Sequence, residues 1–312
     1  MLAARNAFMT RPAGGLVFVE LTAVTATITG FSSPYEVVFN PAGTRAYVMN
    51  GGNSTVSVID TSTNAIIATI TSVGSSQGHL AVNTAGTRLF VTNHNAGTVA
   101  VIDTSTNAVT ATITVGAGPR GVAINPAGTR AYIVNLTDQT VSVIDTSTNT
   151  VTATITVGNG AFAVAVNPAG TLAYVGNLFA NTVSVIDTST NTVTATITGI
   201  SGPRRVAFTP DGTRAYVAHS PSTVSVIDTS TNTVTATINV ISITQRLVVN
   251  PIGNRVYATN SADGSVRVID TSTNTVTATI TVGSSPIGIA IHPAGTQIYV
   301  ANNGGTTISV IT

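Results

Sequence analysis

The sequence predicts an all-β chain closed into a ring of seven blades, each a four-stranded antiparallel sheet. Three observations predict it. The hexapeptide Ile-Asp-Thr-Ser-Thr-Asn occurs six times, with its aspartates at Asp60, Asp103, Asp145, Asp187, Asp228 and Asp270. Their successive spacings are 43, 42, 42, 41 and 42 residues, a period that marks one supersecondary unit per repeat. Each unit breaks into four short runs rich in Val, Ile, Tyr and Thr, and a turn of the type Asn-Pro-Ala-Gly-Thr recurs seven times, around Gly43, Gly86, Gly128, Gly170, Gly212, Gly253 and Gly295.

Residues 119–157 show one unit in full. Its runs are A (121–125), B (130–135), C (140–145) and D (150–156). Each alternates with period two or is continuously apolar, and none shows a helical period. Pro and Gly build the A–B turn, Pro by fixing φ and Gly by accepting positive φ. In the C–D turn, Asp, Thr, Ser and Asn offer side-chain oxygens to the turn backbone. A single sheet of this kind cannot bury both faces, so the units stack around an axis and the ring closes as a β-propeller.

Closure is legible at the ends. The last unit stops after strand C at residues 308–312, and residues 22–29 (TAVTATIT) copy strand D of the other units. The N-terminal strand is therefore expected to complete the last blade, which leaves few free edges. Residues 12–20 resemble residues 41–49, but lie 29 residues before them instead of 42. Three readings stay open for this segment: a relic of a repeat, a hairpin packed on a neighbouring molecule, or part of an eighth blade. The chain divides accordingly into an N-terminal extension, 1–20, and a propeller, 21–312.

Composition excludes several classes of function. The 312 residues carry 12 Arg, no Lys and 11 acidic groups, for a formal charge of +1 with only 7% charged residues. A general nucleic-acid binder needs a strongly basic surface. Mean hydropathy of +0.39 and 43% hydrophobic residues argue against disorder. No apolar run reaches the roughly 18 residues of a membrane span. With no Cys, disulfide and zinc-thiolate chemistry are excluded. No nucleophile elbow, phosphate loop, dinucleotide glycine pattern or HExxH is present, and no cofactor is expected. Residues 1–15 lack the apolar core of a signal peptide.

The runs Ala46-Tyr47-Val48-Met49-Asn50, Tyr174-Val175-Gly176-Asn177 and Tyr299-Val300-Ala301-Asn302 are each followed by a strand like Val-Ser-Val-Ile-Asp. In this the chain resembles the YVTN-family β-propeller repeat over residues 12–312, and more distantly lactonase-like propellers and the propeller modules of some redox enzymes. The resemblance implies seven blades and a setting among secreted, periplasmic or surface-layer proteins. It implies no single activity.

A binding face is expected where the copies differ. The A–B and C–D turns lie on one face of the disc and hardly vary. The D–A and B–C connections lie on the other and vary freely, which is where a rigid scaffold carries specific function. Arg45, Arg88, Arg130, Arg214 and Arg255 recur at the start of strand B and read as structural. Arg120, Arg204, Arg205 and Arg246 fall in D–A segments around the channel. Arg120 and Arg204 share their register position with Tyr35, Phe162, Gln245 and Ile287, and Arg205 and Arg246 share the next with Glu36 and His79. Guanidiniums opposed by Glu36 alone are expected to attract carboxylate, phosphate or sulfate; the competing reading is a solvated arginine rim. His79, His94 and Glu36 are weak candidates for metal ligation, their spacing demanding none. His219 and His292 read as structural, and the repeated aspartates as turn caps.

Three functions follow as expectations. The first is a non-enzymatic scaffold or binding protein, secreted or at the cell surface with a cytoplasmic setting still open, engaging a protein partner or a copy of itself. Its nearly uncharged outer rim, with rows of Thr on the D strands, offers little repulsion to self-association. The others are a lactonase-like hydrolase at the channel mouth, and a propeller subunit of a redox complex.

Overall fold

The computed structural model describes residues 20–74, 78–241 and 244–312. Seven four-stranded antiparallel sheets radiate from a central axis, and no helix occurs among the described residues. Strands are lettered A to D from the axis outward. The inner A strands are Pro34–Phe39, Leu80–Val82, Pro119–Ile124, Ala161–Val166, Arg205–Phe208, Thr244–Val249 and Pro286–Ile291, in blades 1 to 7. The eight-bladed alternative is thereby set aside. Residues 1–19, and with them most of the N-terminal extension, lie outside the described residues, as do 75–77 and 242–243 in two D–A segments.

Local chemistry explains each turn. Gly128 in an A–B turn takes φ of 71°, and Asn149 closes the C–D turn at φ of 56°. Asp145 Oδ1 accepts from Ser147 N, Ser147 Oγ and Thr148 N at 2.8, 2.6 and 3.1 Å. The other five aspartates of the repeat accept from the Ser and Thr that follow them in the same way. Hydrogen bonds of this kind favour the carboxylate, and they hold Asp103 and Asp270 down to about 2.

Seven apolar clusters, one at each blade interface, form the core. Their largest members are fully buried aromatics from strand B: Tyr47, Phe90, Tyr132, Tyr174, Tyr216, Tyr257 and Tyr299. Truncating one to Ala removes about 3–5 kcal/mol by analogy with buried Phe and Trp. Polar latches join the blades on the constant face. Arg45 and Arg130 donate to the carbonyls of Thr104 and Thr188, in the C–D turn of the next blade, at 2.7 and 2.6 Å. Arg88 and Arg214 reach Thr146 and Thr271 in the same way. Leu172 interrupts the series in blade 4.

The N-terminal strand Val24–Thr29 pairs antiparallel with Thr307–Ile311 and forms strand D of blade 7. Leu21 packs into the cluster between blades 6 and 7. Blade 7 has no C–D turn to offer, because its outer strand comes from the other end of the chain. Arg255 instead pairs with Glu20 at 2.9 Å and with Asp270 of its own blade at 2.5 Å.

Candidate functional site

The inner strands deliver one residue each to a layer that crosses the channel: Glu36, His79, Gly121, Ala163, Arg205, Arg246 and Gly288, in blade order. Three of the seven are Gly or Ala, and this leaves room for the four long side chains. A Cβ at Gly121 would lie 2.9 Å from Ala163 Cα, and one at Gly288 would lie 2.8 Å from the Tyr35 carbonyl oxygen and 2.9 Å from Glu36 Cα. Small residues thus also let adjacent inner strands approach closely.

The four long side chains meet. Arg246 donates to Glu36 Oε2, and its Nη2 lies 2.9 Å from His79 Nδ1. His79 Nδ1 is 3.0 Å from the same carboxylate oxygen. Arg205 Nη2 lies 3.1 and 3.2 Å from the two His79 ring nitrogens, which places it against the imidazole. Glu36, His79 and Arg205 are all at least nine-tenths buried. Arg205 and Arg246 are therefore not rim residues, as their D–A position suggested; with Glu36 and His79 they form a plug across the channel.

Burial is the main force on His79, Arg205 and Arg246, because it disfavours the charged form. It drives His79 well below its ordinary 6.5, with Arg205, Arg120 and His94 adding to the effect, so the ring is neutral at pH 7. It pushes Arg205 and Arg246 down to about 10, with Tyr35 opposing in both cases. Both guanidiniums remain charged at neutral pH.

Backbone anchors fix two members of the plug. Thr92 Oγ1 accepts from His79 N at 2.9 Å and donates to the Arg120 carbonyl at 2.8 Å. Thr259 Oγ1 accepts from Arg246 N at 3.2 Å and donates to the Ile287 carbonyl at 2.9 Å. The other blades carry Met49, Val134, Gly176, Ala218 and Ala301 at this position of strand B. Sequence reasoning did not single these threonines out; a polar residue in an otherwise apolar column was the available signal.

Above the plug, on the variable face, lie Tyr35, Arg120, Phe162, Arg204 and Gln245. The Arg120 and Arg205 guanidiniums lie 5.2 and 5.1 Å from the centre of the Phe162 ring. Tyr35 meets His79 edge to face at 5.8 Å. Gln245 turns to its own B–C loop, where Nε2 donates to Ser261 Oγ at 3.1 Å. The Nε groups of Arg120, Arg204, Arg205 and Arg246 are all buried, with no hydrogen-bond partner among the described residues. Four guanidiniums thus surround a channel in which Glu36 is the opposing carboxylate.

The metal candidates part company. His79 and Glu36 touch, but guanidiniums crowd the same atoms. His94 is not joined to them; it sits beside Arg120, which together with burial lowers its pKa. Among the described residues no three His, Cys, Asp or Glu side chains gather as a metal site. His219 and His292 have structural partners: His219 Nε2 meets Ser225 Oγ at 2.8 Å, and His292 Nε2 donates to the Gly43 carbonyl at 3.1 Å across the seam between blades 7 and 1.

Comparison with known proteins adds two likenesses. The family described as lactonase, seven-bladed β-propeller, matches residues 103–234. A chain of the hydrazine synthase of Kuenenia stuttgartiensis is 21% identical and superposes with a TM-score of 0.83, over 91% of this chain and 96% of that one. At that identity the likeness shows the fold alone. No curated protein sequence matches the chain.

Proposed function

We propose that the protein is a binding module whose channel mouth, on the variable face, takes an anionic group carried by a protein partner. One observation carries the reading: at the mouth Arg120 and Arg204 each keep a buried Nε with no hydrogen-bond partner among the described residues, above a plug that already holds Glu36. Burying a polar group without a hydrogen bond costs free energy, and a carboxylate, phosphate or sulfate entering the mouth offsets that cost. Planar guanidiniums suit such groups because they can donate in pairs. Arg120 and Arg204 are the receptors, Phe162 and Tyr35 the surrounding wall, and the plug the floor. Titration calorimetry with sulfate and phosphate tests this. Arg120→Ala with Arg204→Ala is expected to weaken binding about tenfold or more, the worth of one charge-assisted hydrogen bond. Equal affinity in the variant overturns it.

We place this module outside the cell, in a surface-layer or cell-surface setting of the YVTN type, with copies of the chain packing on one another. The support is a Lys-free, nearly uncharged rim with exposed Thr on the D strands. Electron micrographs of the purified protein should show ordered arrays. Dispersed single discs at high concentration, at every ionic strength tried, would remove self-assembly from the proposal.

A lactonase-like hydrolase is the second reading, favoured by the family match over residues 103–234 and by the contact between His79 and Glu36. A neutral imidazole is in the state a general base needs, and guanidiniums can steady a developing oxyanion. Hydrolysis of any member of a lactone panel, abolished by His79→Gln, would replace the binding-only reading with this one. The redox-subunit reading rests on shared fold alone, and co-purification of a redox partner is its test.

A further inference from the structure

We infer that the channel below the plug is a second binding site, entered from the constant face, for a slender amphiphilic anion such as a medium-chain carboxylate. It is independent of the mouth above, from which the plug separates it.

A cavity of about 510 Å3 lies there, within the range of small-molecule sites. Its walls are apolar: Val38, Phe39, Val206, Phe208, Val248 and Ile291, from the inner strands of blades 1, 5, 6 and 7. All six are partly exposed; each also packs against an apolar cluster between blades, and the cavity meets the surface that this packing leaves uncovered. Asn40, Pro41 and Pro293, from the A–B turns, border its opening at the constant face. Its far end is Glu36, Arg205 and Arg246.

That far end is out of balance. Two guanidiniums meet one carboxylate, and Arg205, only 9% exposed, has an Nε with no partner. The Arg246 Nε is in the same position. An anionic head at the end of the cavity restores neutrality and gives these groups an acceptor. An apolar tail along the walls removes their surface from water, the main source of affinity for such a ligand. A small inorganic anion satisfies the head site alone, and an alkane only the walls. Both requirements together select an amphiphile.

Titration calorimetry on the whole protein with straight-chain carboxylates from acetate to decanoate tests the assignment. Affinity should rise about fourfold per methylene, the worth of one buried CH2 group, until the cavity is filled. Octanol, which lacks the charge, should bind at least about tenfold more weakly than octanoate. Arg205→Met should abolish the preference for octanoate over octanol, and Val248→Phe should cut short the chain length at which affinity levels off. An affinity that stays flat from acetate to decanoate overturns the assignment without requiring any variant to fold, and so does an equal response to octanol and octanoate. The chain-length series reads this site, and the Arg120→Ala with Arg204→Ala variant reads the one above, so either site can fail while the other stands.

Discussion

Arg246 and Glu36 lie 210 residues apart in the chain and form an ion pair across the channel, from blade 6 to blade 1. Their side chains are 11% and 5% exposed. A pair so far removed from water holds together because each partner satisfies the other, so removing one is more damaging than removing both. Glu36→Gln is expected to destabilise the protein by about 3–5 kcal/mol, as for other broken buried pairs, whereas Glu36→Leu with Arg246→Met should come close to neutral. Urea denaturation of the three proteins checks the order.

Acid should weaken the fold in a window set by the histidines. Burial lowers His79, His94, His219 and His292 alike from 6.5. A histidine kept neutral in the folded state takes up its proton more readily when unfolded. The stability it contributes is therefore fully present above about pH 6.5 and is lost as pH falls below that value. One such group changes stability by up to about 1.4 kcal/mol per pH unit. The turn aspartates contribute in the same direction but lower down, between the ordinary 3.8 and about 2 for Asp103 and Asp270. Denaturation midpoints measured from pH 7.5 to 4.5 should fall, and His79→Gln should flatten the curve. An unchanged slope would assign the effect to the other histidines.

Gly288→Ala adds one methyl group where inner strands 7 and 1 nearly touch. The added carbon meets the Tyr35 carbonyl oxygen and Glu36 Cα, both backbone atoms that cannot swing aside. Overpacking of this kind costs about 1–3 kcal/mol. A lowered melting temperature, together with loss of the Glu36 contribution in the Glu36→Gln comparison, is expected.

Arg130→Met keeps the length of the side chain but breaks its bond to the Thr188 carbonyl. The expected cost is about 1–2 kcal/mol, near the lower end for hydrogen bonds to charged groups because the latch is only partly buried. Thermal unfolding measures it, with Arg88→Met as a repeat of the same experiment one blade away.

Much of this molecule is written in its repeat. Strand order, turn chemistry, the blade count and the ring-closing strand all follow from local spacing, because each blade contacts only its neighbours. The register column holding Glu36, His79, Arg205 and Arg246 was legible for the same reason. Their meeting in a buried plug was not. Which side chains cross a ring depends on the tilt of the inner strands and on the room left at Gly121, Ala163 and Gly288, and neither is a property of one repeat. Gln245 shows the reverse case: it shares a column with Arg120 and Arg204, yet a single hydroxyl at Ser261 turns it away. The apolar cavity was equally hidden, since Val and Phe on inner strands read as ordinary core until the ring is built.

The join between the N-terminal strand and residues 307–311 has a mechanical consequence. The two strands run antiparallel, with Val24 opposite Ile311, and Thr312 N donates to the Ala23 carbonyl at 3.1 Å, so both ends leave from the same end of the pair. Tension drawn between them peels the strands apart one bond at a time and never shears the whole row together. The disc unzips at a single clasp once Glu20 and Leu21 have let go of blade 6, and the other five continuous blades feel the load only after that clasp has given way.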